Sequence, residues 1–364
     1  MILIFTVILV ALVFTYINGF HDTANSIATV VATKVLSPRQ AVMLAAVTNL
    51  GGAFMGTAVA TTIASGLVDQ KVATSEILIC ALLAAIAWNL LTWWFGLPSS
   101  SSHALIGGLC GACLAAARND WNVLVWSVPN HEHWWEGKGL LWKVVVPMIS
   151  SPICGLVLGF LLMGLLYFLL RNWRTATVNK TFGKLQLLSS AYMGFSHGTN
   201  DAQKTMGIIA LALLTGTSSG VFEHLPWWLS FLRTAPPQGD QPLKIAAWIK
   251  VLCALTMCAG TAVGGWRIIK TLGNKMIRLH PVNGFAAETA GATVLVTAAY
   301  FGMPVSTTHV VTTSIMGIGC AKGLNHLKLE VVERIIWAWI MTLPASAGVA
   351  YLLVKLAQAA GWIQ

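Results

Sequence analysis

Charge is what this chain lacks. Only 9% of its 364 residues are Asp, Glu, Lys or Arg, against roughly a quarter in a soluble domain, and 56% are hydrophobic. That balance excludes an ordinary water-soluble fold. No charged residue occurs at 2–21, 40–68, 77–117, 144–170, 289–321 or 335–354, and a helix crosses a bilayer with roughly 20 apolar residues. The sequence also lacks a basic segment ahead of the first apolar run, the first positive residue being Lys34, so that run reads as a retained span and not a signal peptide. A disulfide framework is missing too. Cys80, Cys110, Cys113, Cys154, Cys253, Cys258 and Cys320 all fall in or beside apolar runs, and the CxxC at 110–113 is interleaved with Gly107, Gly108 and Gly111, a pattern for close helix packing. The formal charge of +10 comes from Lys and Arg in short loops. It sets orientation in a membrane and gives no basic face for nucleic acid.

What is present is repetition. Asn18-Gly19-Phe20-His21-Asp22-Thr23-Ala24-Asn25-Ser26 aligns with His197-Gly198-Thr199-Asn200-Asp201-Ala202-Gln203-Lys204-Thr205, and Gly96-Leu97-Pro98-Ser99-Ser100-Ser101-Ser102-His103 aligns with Gly302-Met303-Pro304-Val305-Ser306-Thr307-Thr308-His309. Two motifs recurring in one order predict a duplicated unit: a first membrane repeat at 1–170, a basic cytoplasmic linker at 171–184 and a second repeat at 185–364. With that linker inside, an alternating path places more Lys and Arg inside than outside. The N-terminus is then outside and the halves are inverted. The predicted fold is an all-α polytopic membrane protein of two inverted repeats, with broken helices or re-entrant hairpins and about 10–12 membrane segments. Both 77–117 and 289–321 return the chain to the side it came from, whether as spanning pairs or as re-entrant hairpins.

Ionisable groups inside such runs are costly and mark function. Asp22 and Asp201 each follow a Gly by three residues, which suggests a helix break whose freed backbone groups bind ions. The Pro-hydroxyl-His motifs suggest helix starts, where Ser100, Ser101, Ser102, Ser306, Thr307 and Thr308 set hydroxyl donors beside uncapped N–H groups. That arrangement suits a tetrahedral oxyanion, although any single hydroxyl of this kind can equally be a helix cap. The Ser102-His103 and Thr308-His309 dipeptides do not make a hydrolase, because neighbours on a helix point about 100° apart. Lys204 stands about one helical turn after Asp201 and can share its face. His131-Glu132-His133, among Trp121, Trp126, Trp134, Trp135 and Trp142, is weak evidence for metal; interfacial Trp anchors and a solvated turn explain it better.

The segments NGFHDTANS, GLPSSSSH, SHGTNDAQK and GMPVSTTH resemble the paired signatures of the inorganic phosphate transporter (PiT) family, most closely its bacterial Pit-type members. The resemblance runs from Asn18 to His309. It implies a secondary transporter of inorganic phosphate, not an enzyme, with no cofactor. It further implies proton symport, a metal–phosphate complex as cargo, homodimers and the bacterial inner membrane. Asp22, Asn25, Asn200 and Asp201 match the family's carboxylate and amide positions, and the hydroxyl turns match its phosphate-facing ones, with Thr23 beside them in the first motif. Glu288 resembles a position tied to coupling. Two departures bear on the cation. His21 replaces an Asn of sodium-type members and Lys204 replaces their second amide, so protons are favoured, with sodium coupling or another oxyanion such as sulfate as alternatives.

Overall fold

The computed structural model describes all residues except 130–136, 237–242, 273–275, 324–326 and 364; His131-Glu132-His133, Trp134, Trp135 and Lys275 lie outside the described residues. Twelve α-helices are described: α1 (Ile2–Ala32), α2 (Pro38–Ala53), α3 (Ala58–Ser65), α4 (Ser75–Phe95), α5 (Ser101–Ala116), α6 (Val146–Leu170), α7 (Thr175–Ser218), α8 (Ala247–Val263), α9 (Trp266–Lys270), α10 (Pro281–Tyr300), α11 (Thr307–Lys322) and α12 (Leu329–Ala359). Helices α1, α4, α12 and the continuous stretch Leu141–Leu170 are each long and apolar enough to cross a bilayer, and α2 with α3, bent by 67°, makes a fifth candidate. Large apolar side chains such as Ile153, Leu161 and Phe168 on α6 and Leu352 and Leu356 on α12 face outward, as in a protein whose solvent is lipid.

The order of elements in α1–α6 recurs in α7–α12, and so do the contacts. α5 packs on α12 as α11 packs on α6, and α2 packs on α7 as α8 packs on α1. At the residue level the match is close. A Cβ on Gly19 would sit 2.7 Å from the Met257 carbonyl oxygen, and one on Gly198 would sit 2.2 Å from that of Asn49. A Cβ on Gly52 would sit 2.0 Å from the Phe195 carbonyl and one on Gly260 2.2 Å from that of Tyr16. These four glycines let α1 and α8, and α7 and α2, touch backbone to backbone. The corresponding helices α1 and α7 run antiparallel: Thr33 donates to Gln186 at one end (2.8 Å), Asp22 meets His197 and Asp201 in the middle, and Ile4 meets Gly216 at the other end.

Two expectations are corrected. Neither α1 nor α7 breaks at its Asp motif: they are continuous over 31 and 44 residues, because Gly19 and Gly198 serve close packing. The breaks fall instead between α2 and α3 and between α8 and α9. The segment 171–184 is also not a linker throughout, since α7 begins at Thr175.

The hairpin tips are interior. α4 ends on Gly96 (φ +63°) and α10 is followed by Gly302 (φ +65°), left-handed conformations that suit glycine. The turns that follow are largely buried. Each tip is held by the other half, Thr271 donating to the Gly96 carbonyl (2.9 Å) and Thr62 to that of Gly302 (2.8 Å).

Candidate functional site

Behind those tips two helix N-termini converge. Ser100 caps α5 by accepting from His103 N (3.1 Å), and Ser306 caps α11 by accepting from His309 N (3.2 Å). Pro98 and Pro304 stand two residues before the caps, ahead of the helices and not in their first turns. Each cap leaves other first-turn N–H groups free, at the positive end of its helix. Ser101, Ser102, Thr307 and Thr308 stand on those turns, all buried. The rings of His103 and His309 meet edge to face at 4.8 Å, and His309 stacks on Trp339 at 4.1 Å. The two helix starts are thereby joined.

The middles of α1 and α7 lie against these ends, and the wiring repeats. Ser101 Oγ donates to Asp22 Oδ2 (3.0 Å) as Thr307 Oγ1 donates to Asp201 Oδ2 (3.3 Å). The matched residues Asn25 and Lys204 reach across to the other half. Asn25 Nδ2 donates to Thr307 (3.3 Å) and Thr308 (2.9 Å). Lys204 Nζ donates to Ser102 Oγ, to Asp201 Oδ1 and to the Val305 carbonyl (3.2 Å). The second Asp22 oxygen lies 2.7 Å from His21 Nδ1, and His21 Nε2 lies 3.1 Å from Thr92 Oγ1.

His197, quoted in the motif but given no role by sequence reasoning, belongs here. Its Nε2 is 3.1 Å from Asp201 Oδ2. Its Nδ1 is 3.0 Å from Asn49 Oδ1, and Asn49 in turn donates to Thr261 (3.1 Å). The signal available was position: His197 stands one turn before Asp201, where its ring shares the carboxylate's face. Ligand atoms of Asp22, His197 and Asp201 all lie within 4.8 Å of one another, and the Oδ1 atoms of Asn25 and Asn200 have no hydrogen-bond partner. A cation with oxygen and nitrogen preferences would find donors here.

Other predicted residues sit elsewhere. Thr23 donates to the Gly19 carbonyl (2.6 Å) and to that of Thr261 (3.3 Å), so it faces α8 and not the hydroxyl turns. Asn200 donates to the Met303 carbonyl (3.4 Å) at the edge of the second tip. Glu288 lies apart, accepting from Thr29, Ser189 and Gln186 where α1, α7 and α10 meet. The seven cysteines are free thiols, and Gly107 and Gly111 touch the backbone of α12, the packing role read from the sequence.

Beside its histidines, the centre holds two carboxylates and one ammonium, all buried. The carboxylates outnumber the ammonium, while the free N–H groups at the two helix starts are donors of the kind that suit an anion.

The sequence profile described as "Phosphate transporter family" matches residues 18–350. Among curated proteins the chain is 40% identical over 361 residues to the "Probable low-affinity inorganic phosphate transporter" of Bacillus subtilis (strain 168), covering 98% of each. It is 41% identical over 342 residues to the protein of that name in Mycobacterium tuberculosis (strain ATCC 25618 / H37Rv), covering 94% of this chain and 74% of the relative. A solved structure titled "The sodium-dependent phosphate transporter" superposes with a TM-score of 0.80 over 99% of this chain and 100% of that one, at 23% identity. At that identity the likeness speaks to fold alone.

Proposed function

The chain belongs to the phosphate transporter family, and on that premise we propose that it takes up inorganic phosphate as a secondary transporter, with a cation moving alongside. The observation that carries this reading is the opposition of two helix N-termini, with Ser101, Ser102, Thr307 and Thr308 on their first turns, across two buried carboxylates. The hydroxyls and free N–H groups would hold phosphate oxygens, and Lys204 would supply one fixed positive charge. The carboxylates oppose phosphate unless a cation joins it. Charge balance in a dry core therefore ties the two movements together.

The cation we assign is the proton. Asp201 already has Lys204; among the described residues Asp22 is bonded to His21 and a hydroxyl and has no ammonium. His21 is wired for two protonation states. Thr92 can donate to a neutral His21, or it can keep its helix bond to the Trp88 carbonyl (3.0 Å) while a protonated His21 donates to it. A proton enters that pair without any heavy atom having to move. The antiparallel, matched halves support inverted repeats whose exchange of shape would expose the centre alternately to the two sides. One observation favours a divalent metal travelling with phosphate, namely the convergence of Asp22, His197 and Asp201.

Radiolabelled phosphate uptake into proteoliposomes tests the reading, under imposed proton or sodium gradients and with or without divalent metal. A proton gradient alone should drive accumulation. Uptake that follows sodium after the proton gradient is collapsed would defeat the proton assignment, and sulfate competing equally with phosphate would defeat the substrate.

A further inference from the structure

One layer from the site, α1 and α4 bury two amides that the wiring above leaves unused. Asn18 and Asn89 are each 0% exposed, and no Oδ1 or Nδ2 of either has a hydrogen-bond partner. Their register sets them at one level. The two helices run parallel: Met1, Leu3 and Ile4 share a pocket with Ser75 and Glu76 at one end, and Phe20 meets Trp93 while His21 meets Thr92 toward the other. His21 and Thr92 are 71 positions apart, and Asn18 and Asn89 repeat that separation one turn earlier on each helix. Thr205 Oγ1, also buried and unpartnered, stands one turn past Asp201 on antiparallel α7, displaced in the same direction.

Buried amides without partners at one level of two packed helices call for a guest, and the donor set says which. The described residues named in this layer, Asn18, Asn89 and Thr205, carry no charge with which to hold phosphate or a divalent cation. An alkali cation would satisfy the two carbonyl oxygens and leave both NH2 groups without acceptors. Water serves both kinds of group at once. We propose that Asn18 and Asn89 hold a small cluster of bound water, a hydration station that the coupling cation meets between the N-terminal end of α1 and Asp22.

The inference rests on the transporter reading. The station lies four residues, about 6 Å of helix rise, before Asp22, and about 21 Å beyond Ile4 at the pocket. Val7, Ala11 and Phe14 of α1 and Leu78 and Leu82 of α4, all buried, form an apolar plug between pocket and station. A cation passing that plug when it opens leaves bulk water behind, and the station re-solvates it one turn ahead of the carboxylate.

The test uses the full-length protein, in a structure at a resolution that shows water and in proteoliposomes. In the unmodified protein, density for water bonded to both amides is expected, and Asn89→Leu should abolish it. Asn18→Leu and Asn89→Leu should slow gradient-driven phosphate accumulation by about tenfold or more and leave phosphate–phosphate exchange within about twofold. Asn89→Ser, which keeps room for water, should retain most accumulation. A dry amide pair in the unmodified protein, or leucine variants that accumulate phosphate at the unmodified rate, would overturn the station. If the leucine variants fail to fold, the density in the unmodified protein decides alone. If the unmodified protein moves no phosphate, the transporter reading fails, and the density still decides whether water is held there.

Discussion

Lys204→Asn is the substitution that most directly probes the charge argument. Lys204 is 1% exposed and bonded to Asp201, Ser102 and the Val305 carbonyl, and its counterpart in the first half is the neutral Asn25. Losing the ammonium removes an attraction for phosphate of about 4 kcal/mol, taking a separation of about 4 Å and an effective dielectric of about 20. The new amide donates one hydrogen bond to a charged oxygen and returns roughly 1.5 kcal/mol. The remaining ~2.5 kcal/mol is roughly a seventyfold loss of phosphate affinity. The site also becomes more negative by one charge, so a monovalent cation should now compensate. We expect sodium to restore uptake in Lys204→Asn proteoliposomes at a fixed proton gradient and to have no such effect on the unmodified protein. Lys204→Met, which donates nothing, would leave Asp201 a buried carboxylate without its ammonium, at about 3–5 kcal/mol, and should be the less stable variant by thermal denaturation. Lys204→Asn with unchanged affinity and no response to sodium would refute the argument.

Ser101→Ala and Thr307→Ala should each weaken apparent phosphate affinity by roughly 1.5–3 kcal/mol, about ten- to a hundredfold, with expression and melting temperature nearly unchanged; unchanged affinity in both would reduce these hydroxyls to structural roles. Glu288→Gln turns an amide toward three donors, so it should lower stability by roughly 1–3 kcal/mol in thermal unfolding and impair accumulation more than phosphate binding. Gly198→Ala would place a methyl 2.2 Å from the Asn49 carbonyl, and should cost about 1–3 kcal/mol through overpacking, read as a lower melting temperature. Single cysteines at positions 174 and 233, both exposed, should label from opposite sides of a sealed vesicle; labelling from one side only would refute the inverted path.

How much of this was legible depends on what kind of feature carried it. The hydroxyl turns and the Asp motifs were readable because polar residues in apolar runs announce themselves, and their duplication marked the symmetry. Ser100 and Ser306 cap their helices by accepting from His103 N and His309 N, which leaves their O–H donors available; spacing alone cannot separate such caps from the neighbouring hydroxyls. The expected break at Gly19 and Gly198 was wrong because a glycine that admits a bend and one that admits another helix look alike in sequence; only the backbone of α8 or α2 against it distinguishes them. Thr23 turned toward α8 because its hydroxyl is satisfied by the carbonyl one turn back, as hydroxyls in helix interiors often are. His197, Asn49 and Thr261 form a chain across three helices, and no local spacing reveals such a chain.

The near-symmetry also makes its exceptions informative. Asn25 and Lys204 occupy matched places, as do His21 and Asn200, and Asn18 and His197. In each pair one half carries a group that can hold charge and the other a neutral amide. On the proposed reading, exchange of shape between the halves opens the centre to each side in turn, but the emptied carrier must also return, and a buried unbalanced charge resists that step. Lys204 stays with the protein and covers Asp201 in both directions. Only Asp22 then depends on a travelling charge, the proton that enters the His21–Asp22 pair with phosphate and is released with it, so the returning carrier holds one uncovered carboxylate where two would otherwise stand. A site with amides at both places would have two carboxylates to neutralise with imported cations. Fewer co-transported charges per phosphate are therefore expected here, measurable as a smaller charge movement per radiolabelled phosphate, and Lys204→Asn should raise that ratio by one. A ratio unchanged by the substitution would mean that the ammonium serves as a structural tie between the halves and takes no part in the charge balance.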